Sequence, residues 1–181
     1  MADQQENRNI DSKYTGWTNE LIKQDLNSKR NEFAVMMERI NGDFNFGTLI
    51  RNANAFLAKQ VFYLGLRKYD KRSAVGTYIY ENVEFLHSSI EEAYQKLRQQ
   101  YTIIAIDNTK GSVPMESFKW PKNSLMVFGE ESRGLSEQAL THADHIVHIS
   151  MYGSVRSLNV GCASAITMHN YLMQHPPQRE V

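Results

Sequence analysis

Residues 124–134 read SLMVFGEESRG. The apolar run SLMVFG (124–129) is too short for a helix and reads as a buried strand, which passes through Gly129 into a charged loop closed by Gly134. The pattern repeats outward in both directions. FAVMM (33–37), VFYLG (61–65), TIIAID (102–107) and HIVHIS (145–150) are further short strands. Between strands the apolar period lengthens. Leu49, Ile50, Ala53, Phe56 and Leu57 recur at helical spacing between Phe46 and Lys59. Ser88 and Ser89 stand three residues before Glu91 and Glu92, a capping-box signal for a helix through about Gln99. Ser136 opens a short helix, and Ser157 to Met173 reads as the last one. Residues 67–80 read as a charged loop. Strands alternating with helices predict an α/β domain with a mainly parallel sheet flanked by helices.

At 181 residues the chain suits one well-filled core, and no repeat, low-complexity tract or Pro/Gly-rich linker divides it. Residues 1–32 read as an N-terminal arm with a polar helix over 17–31, and 33–181 as the α/β unit. No run of about 18 apolar residues is present. The polar start MADQQENRNIDSKYTGW lacks the build of a signal peptide, so a cytoplasmic location is expected. The single cysteine, Cys162, reads as a packing residue. A net charge of zero argues against a protein that coats nucleic acid indiscriminately. The distribution is uneven: residues 1–72 hold 12 Lys and Arg against 9 Asp and Glu, and residues 73–181 hold 8 against 11. Arg67, Lys68, Lys71 and Arg72 are therefore either a local basic face for RNA or a solvated charged turn.

In parallel α/β sheets ligands gather beyond the carboxyl ends of the strands. Three strands here run into glycine-bearing loops: NGDFNFG (41–47), FGEESRG (128–134) and SMYGSVRSLNVG (150–161). Glycine lets backbone approach a ligand closely, and loop N–H groups can hold an adenine edge or a carboxylate, so one small-molecule pocket is expected there. The chain lacks GxxxxGK[ST], GxGxxG and GxSxG, which argues against a P-loop nucleotidase, a dinucleotide enzyme and a serine hydrolase. His145 and His148 fall on opposite faces of a strand, so no metal site is expected. What remains in the loops is Asn45, Arg51, Glu131, Ser157 and Asn159, with Arg133 and Arg156 nearby. An arginine on a helix is usually solvated, but beside a pocket its fork suits phosphate or a developing oxyanion. Ser157 and Asn159 are either helix-start caps or site groups. Glu131, beside Glu130, is either solvated or part of the same cluster.

Three motifs at these residues resemble the SpoU (TrmH-type) branch of the SPOUT methyltransferase superfamily. NFGTLIRNANAF (45–56) is similar to Asn-x-Gly-x-x-x-Arg-x-Ala-x-x-Phe, FGEESRGL (128–135) to Phe-Gly-x-Glu-x-x-Gly-Leu, and ISMYGSVRSLNV (149–160) to Ile-x-Met-x-Gly-x-x-x-Ser-Leu-Asn-Val. A weaker element, RSAVG (72–76), resembles the family's Arg-and-Gly loop; together these span roughly residues 33–173. Two departures stand out. Asn41-Gly42-Asp43-Phe44 lacks the family's proline before the first motif, and Gly161 replaces a common serine after the third.

The resemblance implies a deep C-terminal trefoil knot, which ordinary topology rules would exclude. It implies S-adenosylmethionine held by backbone of the second and third loops, at Gly129, Ile149, Met151 and Leu158, with Phe128 and Glu130 beside them. It implies a homodimer that transfers methyl to a ribose 2′-hydroxyl of tRNA or rRNA. Arg51 is then the catalytic residue, Asn45 orients it or the ribose, and Glu131, Ser157 and Asn159 complete the polar shell. Lys68, Lys71, Arg72, Arg133 and Arg156 are the expected RNA contacts. Residues 1–32 are too few for a separate RNA-binding domain, which favours a compact tRNA-type substrate. A silent RNA-binding or assembly protein on the same fold, and a base methyltransferase, remain the alternatives.

Overall fold

The computed structural model describes residues 10–40, 44–130 and 133–177. Seven strands form one sheet: β1 (Ala34–Ile40), β2 (Gln60–Gly65), β3 (Val83–Phe85), β4 (Thr102–Ile106), β5 (Val113–Pro114), β6 (Ser124–Phe128) and β7 (His145–His148). Their order is β3-β2-β1-β6-β4-β7-β5, and every pairing is parallel. Five strands lie where the apolar runs place them. The other two, β3 and β5, are short edge strands without an apolar run: VEF is half-buried with a glutamate at its centre, and VP is exposed. A proline is tolerated there because an edge strand does not need its N–H.

A parallel sheet is covered on both faces, and β1 shows the period of two that this requires. Val35 and Met37 join one buried cluster with Phe46, Leu49 and Ile50, while Ala34 and Met36 join the other with Tyr94 and Leu97. The first face is covered by α2 (Phe44–Ala55) and α5 (Val160–Gln174), the second by α3 (Ile90–Leu97) and α4 (Glu137–His142). Of the two serine–glutamate pairs ahead of α3, Ser89 and Glu92 form the capping box. Helix α2 stops at Ala55 rather than Lys59, because Leu57 turns to φ 53° and the Ala58 N–H reaches back to the Ala53 carbonyl at 2.9 Å. Helix α5 starts at Val160, not Ser157. The 67–80 segment carries two short 3₁₀ turns, at Arg72–Ala74 and Thr77–Ile79.

The pairing of α2 with α5 fixes the site. A β-carbon on Gly161 would come 2.7 Å from Thr48 Cγ2, so the departure from serine at 161 lets the two helices approach closely. Asn52 Nδ2 donates to the Gly161 carbonyl at 2.8 Å and to Ser164 Oγ at 3.0 Å across the same contact. Outside this body, α1 (Asn19–Lys29) is capped by Thr18 and buries Ile22 and Leu26 against Tyr14 and Tyr80. Among the described residues no helix is long and apolar enough to cross a membrane.

Candidate functional site

A pocket partly open to solvent lies beyond the carboxyl ends of β4, β6 and β7. Ile106 and Asp107 enter it at the end of β4 and just past it, Phe128, Gly129 and Glu130 at and beyond the end of β6, and His148 and Ile149 at and beyond the end of β7. Met151, Ser157 and Leu158 come from the loop after β7, and Val160 and Ala163 from α5. All six residues expected around a cofactor thus share one cavity.

Its walls are built by local necessity. The loop after β6 folds back on itself: the Gly134 N–H donates to the Glu130 carbonyl at 2.7 Å, with Gly134 at φ 66°. A side chain at Gly129 would collide with the backbone of Gly134 and Leu135, so only glycine fits under the returning strand of the loop. The loop is then pinned to β1, where Glu38 Oε2 accepts the Ser136 N–H at 2.8 Å. On the opposite wall, Asn108 Nδ2 donates to the Arg156 carbonyl at 2.6 Å and Ser150 Oγ donates to Glu116 at 3.0 Å. The Glu116 carboxyl is held below the usual carboxylate range, chiefly by its own backbone N–H and further by Ser150. His148 Nδ1 lies 2.9 Å from Ser112 Oγ. Among the described residues, no group of three His, Cys, Asp or Glu side chains is placed to hold a metal.

Asn159 joins the pocket to α2. Its Oδ1 accepts the N–H groups of Gly161 (2.9 Å) and Cys162 (3.4 Å), capping α5, while its Nδ2 donates to Asn45 Oδ1 at 2.9 Å. The cap is therefore Asn159 and not Ser157, and capping and site geometry coincide in one side chain. Arg51 is exposed further along α2, outside the pocket lining, and makes no ion pair among the described residues. Glu131 lies outside the described residues, as do Asn41, Gly42 and Asp43.

The expected RNA contacts are all exposed but not equivalent. Arg72 is committed to Asp70, through Nε at 2.9 Å and Nη2 at 2.5 Å, and these bonds hold the Asp70 carboxyl below its usual range. Lys71 Nζ rests 4.7 Å from the centre of the Tyr78 ring. Lys68 and Arg133 point to solvent, and Arg156 is fixed through its carbonyl. Sequence reasoning missed Glu38, Asn52 and Asp107. Each carried a signal: Glu38 is a charge inside the apolar β1, Asn52 lies inside the first motif, and Asp107 ends the β4 run.

The SpoU rRNA Methylase family profile matches residues 32–169. A Saccharomyces cerevisiae tRNA (guanosine(18)-2′-O)-methyltransferase is 34% identical over 82 residues, which cover 45% of this chain and only 6% of that protein. The enzyme of the same description from Thermus thermophilus is 25% identical over 153 residues, covering 81% of this chain and 77% of that one. Among solved structures, the SpoU methyltransferase AviRb from Streptomyces viridochromogenes, in complex with the cofactor AdoMet, superposes with a TM-score of 0.71 at 24% identity, covering 83% of this chain and 60% of that one.

Proposed function

This chain belongs to the SpoU rRNA Methylase family, and from that premise we propose that it is an S-adenosylmethionine-dependent RNA methyltransferase acting on a ribose 2′-hydroxyl, with tRNA favoured over rRNA. One observation carries the reading: the Asn45–Asn159 hydrogen bond joins the first-motif helix to the loop whose Ser157 and Leu158 line the pocket, and the second-motif loop forms the facing wall. The similarity to tRNA guanosine 2′-O-methyltransferases supports the choice of ribose and of tRNA.

The pocket fits the cofactor. Apolar walls from Ile106, Phe128, Ile149 and Val160 suit an adenine ring, and the bare backbone at Gly129 leaves room for close approach. Asp107 and Glu130 offer carboxylates to hydroxyl or ammonium groups. Gly129, Ile149, Met151 and Leu158 hold the ligand mainly through backbone, with Phe128 and Glu130 flanking. Bound S-adenosylmethionine supplies an activated methyl on a sulfonium, so the chain has only to align and deprotonate the oxygen. Arg51 serves both needs. Its exposed guanidinium would clamp the phosphate beside the target ribose, and a phosphate oxygen would take the hydroxyl proton as the ribose oxygen bonds to the methyl carbon and the sulfonium S–C bond breaks, leaving a neutral thioether. Asn45, fixed by Asn159, orients the ribose or Arg51, and Glu131 and Ser157 complete the shell. Lys68, Arg133 and Arg156 meet backbone phosphates.

Two features of the chain path support the family's knot, and we take the chain to work as the family's homodimer. The chain leaves β4 for β5 at the sheet edge and returns to β6, and β7 lies between β4 and β5. Trp120 Nε1 donates to Asn170 at 2.7 Å and Gln174 Nε2 to the Phe118 carbonyl at 2.9 Å, so α5 is closed against that excursion. In our reading residues 1–32 are an arm on a methyltransferase unit of residues 33–181, working in the cytoplasm. The test is transfer of labelled methyl from S-adenosylmethionine to bulk tRNA and rRNA by wild type and Arg51→Ala. Label recovered as a 2′-O-methylnucleoside and lost in the variant, with cofactor binding retained, is the expected result. Label in a base assigns different chemistry, cofactor binding without transfer points to a missing partner or an untested RNA, and neither transfer nor cofactor binding favours a silent RNA-binding protein.

A further inference from the structure

Phe44 opens α2 directly before Asn45 and keeps 53% of its surface exposed. The ring is thus presented to solvent beside the polar groups of Asn45 and Arg72. The backbone beneath it is firmly held. Its carbonyl accepts a hydrogen bond from Ser73 Oγ, and Gly47, one turn on, lies so close to Ser73, Ala74 and Asp70 that no side chain would fit. Arg72 places its guanidinium carbon 5.9 Å from the ring centre while the side chain stays 83% exposed. Because Asp70 neutralises Arg72, this pair offers a flat guanidinium face rather than net charge. An exposed ring flanked by a guanidinium plane is the chemistry that receives an unpaired nucleobase.

We propose that Phe44 is a stacking surface for an unpaired base of the RNA substrate, fixed in register with Asn45 and flanked by Arg72. The proposal rests on the RNA methyltransferase reading and adds to it how the nucleotide is presented. Stacking of this kind depends weakly on salt, whereas the neighbouring Lys68 and Arg67 act through phosphate and depend on it strongly.

The test compares wild type, Phe44→Leu and Phe44→Trp. Binding of bulk tRNA is measured at low and high salt, alongside S-adenosylmethionine affinity, Tm and methyl transfer. Leucine keeps the apolar contact but lacks a π face. Phe44→Leu is expected to weaken tRNA binding roughly tenfold or more at both salt concentrations, with cofactor affinity and Tm unchanged, and Phe44→Trp to restore it. Equal tRNA binding by Phe44→Leu and wild type overturns the proposal, as does a Phe44→Trp variant as weak as Phe44→Leu, or no tRNA binding by wild type. A Phe44-dependent tRNA complex in a protein that transfers no methyl leaves the stacking surface standing and removes the enzymatic reading.

Discussion

At the residue scale, Asn159 has two functions that substitution can separate. As the α5 cap it satisfies two backbone donors, and as a donor to Asn45 it aligns the first motif. Asn159→Asp keeps the capping oxygen but replaces the donor with a second oxygen facing Asn45 Oδ1. We expect a Tm close to wild type with a loss of methyl transfer of roughly tenfold or more, the cost of turning one aligned hydrogen bond into a repulsion. Asn159→Ala is expected to lose both activity and about 1 kcal/mol of stability. Parallel loss of activity in the two variants together with an equal fall in Tm would mean that Asn159 acts through the helix alone. Glu38 makes a complementary case. It is 1% exposed, its Oε2 holds the Ser136 N–H, and its Oε1 has no hydrogen-bond partner among the described residues. Burial first, and then the Glu38 charge, push the neighbouring Tyr94 hydroxyl upward. Glu38→Ala frees the loop that forms one wall of the pocket, so the KM for S-adenosylmethionine should rise more than kcat falls. Glu38→Gln, which keeps an acceptor for Ser136, should recover much of the difference.

At the element scale, α1 is attached by polar contacts as much as by its small apolar face. The Arg30 guanidinium, 4% exposed, donates to Glu81 at 2.8 Å and to the carbonyls of Ala58 and Tyr80, while Glu81 also accepts from Asn54 at 2.7 Å. Arg30→Ala leaves a buried carboxylate unpaired and is expected to cost about 3–5 kcal/mol in denaturant unfolding, whereas replacing the pair with Met and Leu should restore most of it. The same helix carries a pH signature. The Tyr14 hydroxyl, and then Lys29, hold the Asp25 carboxyl below its usual value of 3.8. A depressed carboxyl stabilises the fold above its unfolded pKa and loses that contribution as pH falls through the folded value. Burial raises Glu81, so its contribution is retained in acid, and of these two carboxyls only Asp25 gives an acid-side loss. Trp17 packs edge-on against Tyr14 at 5.5 Å, so its emission in a Trp120→Phe background should shift on acidification, and Asp25→Asn should remove that step. Little of this docking was legible in the sequence: Arg30 and Glu81 are distant in the chain and look like ordinary surface charges. The five principal strands were legible because their apolar runs are continuous, whereas β3 and β5 are held only by their neighbours. In the site, the pocket walls followed from glycine loops and motif resemblance, but Asn159 as cap and Glu38 as loop anchor depend on contacts that no spacing encodes.

At the scale of the whole molecule, the sheet uses four helices to cover two faces, and one of them keeps an apolar outer side. On α5, Cys162, Ile166, His169 and Met173 are all exposed and recur at the spacing of one helical stripe, with Ile166 at 42% and Met173 at 70% exposure. The inner side of the same helix carries Met168 and Tyr171 into the core, so α5 is apolar on two sides. A second copy of this chain is the partner that the proposed homodimer supplies, and α5 begins at the Asn159 cap beside the pocket. Self-association through this stripe would therefore bring each site next to the other copy. Ile166→Glu places a charge in the stripe without touching the core, so the variant should keep its circular dichroism and its affinity for S-adenosylmethionine. It should sediment as a monomer at concentrations where wild type is a dimer, and transfer methyl far more slowly. A wild-type protein that is monomeric and fully active would dismiss the dimer, and an Ile166→Glu variant that remains dimeric would place its interface elsewhere.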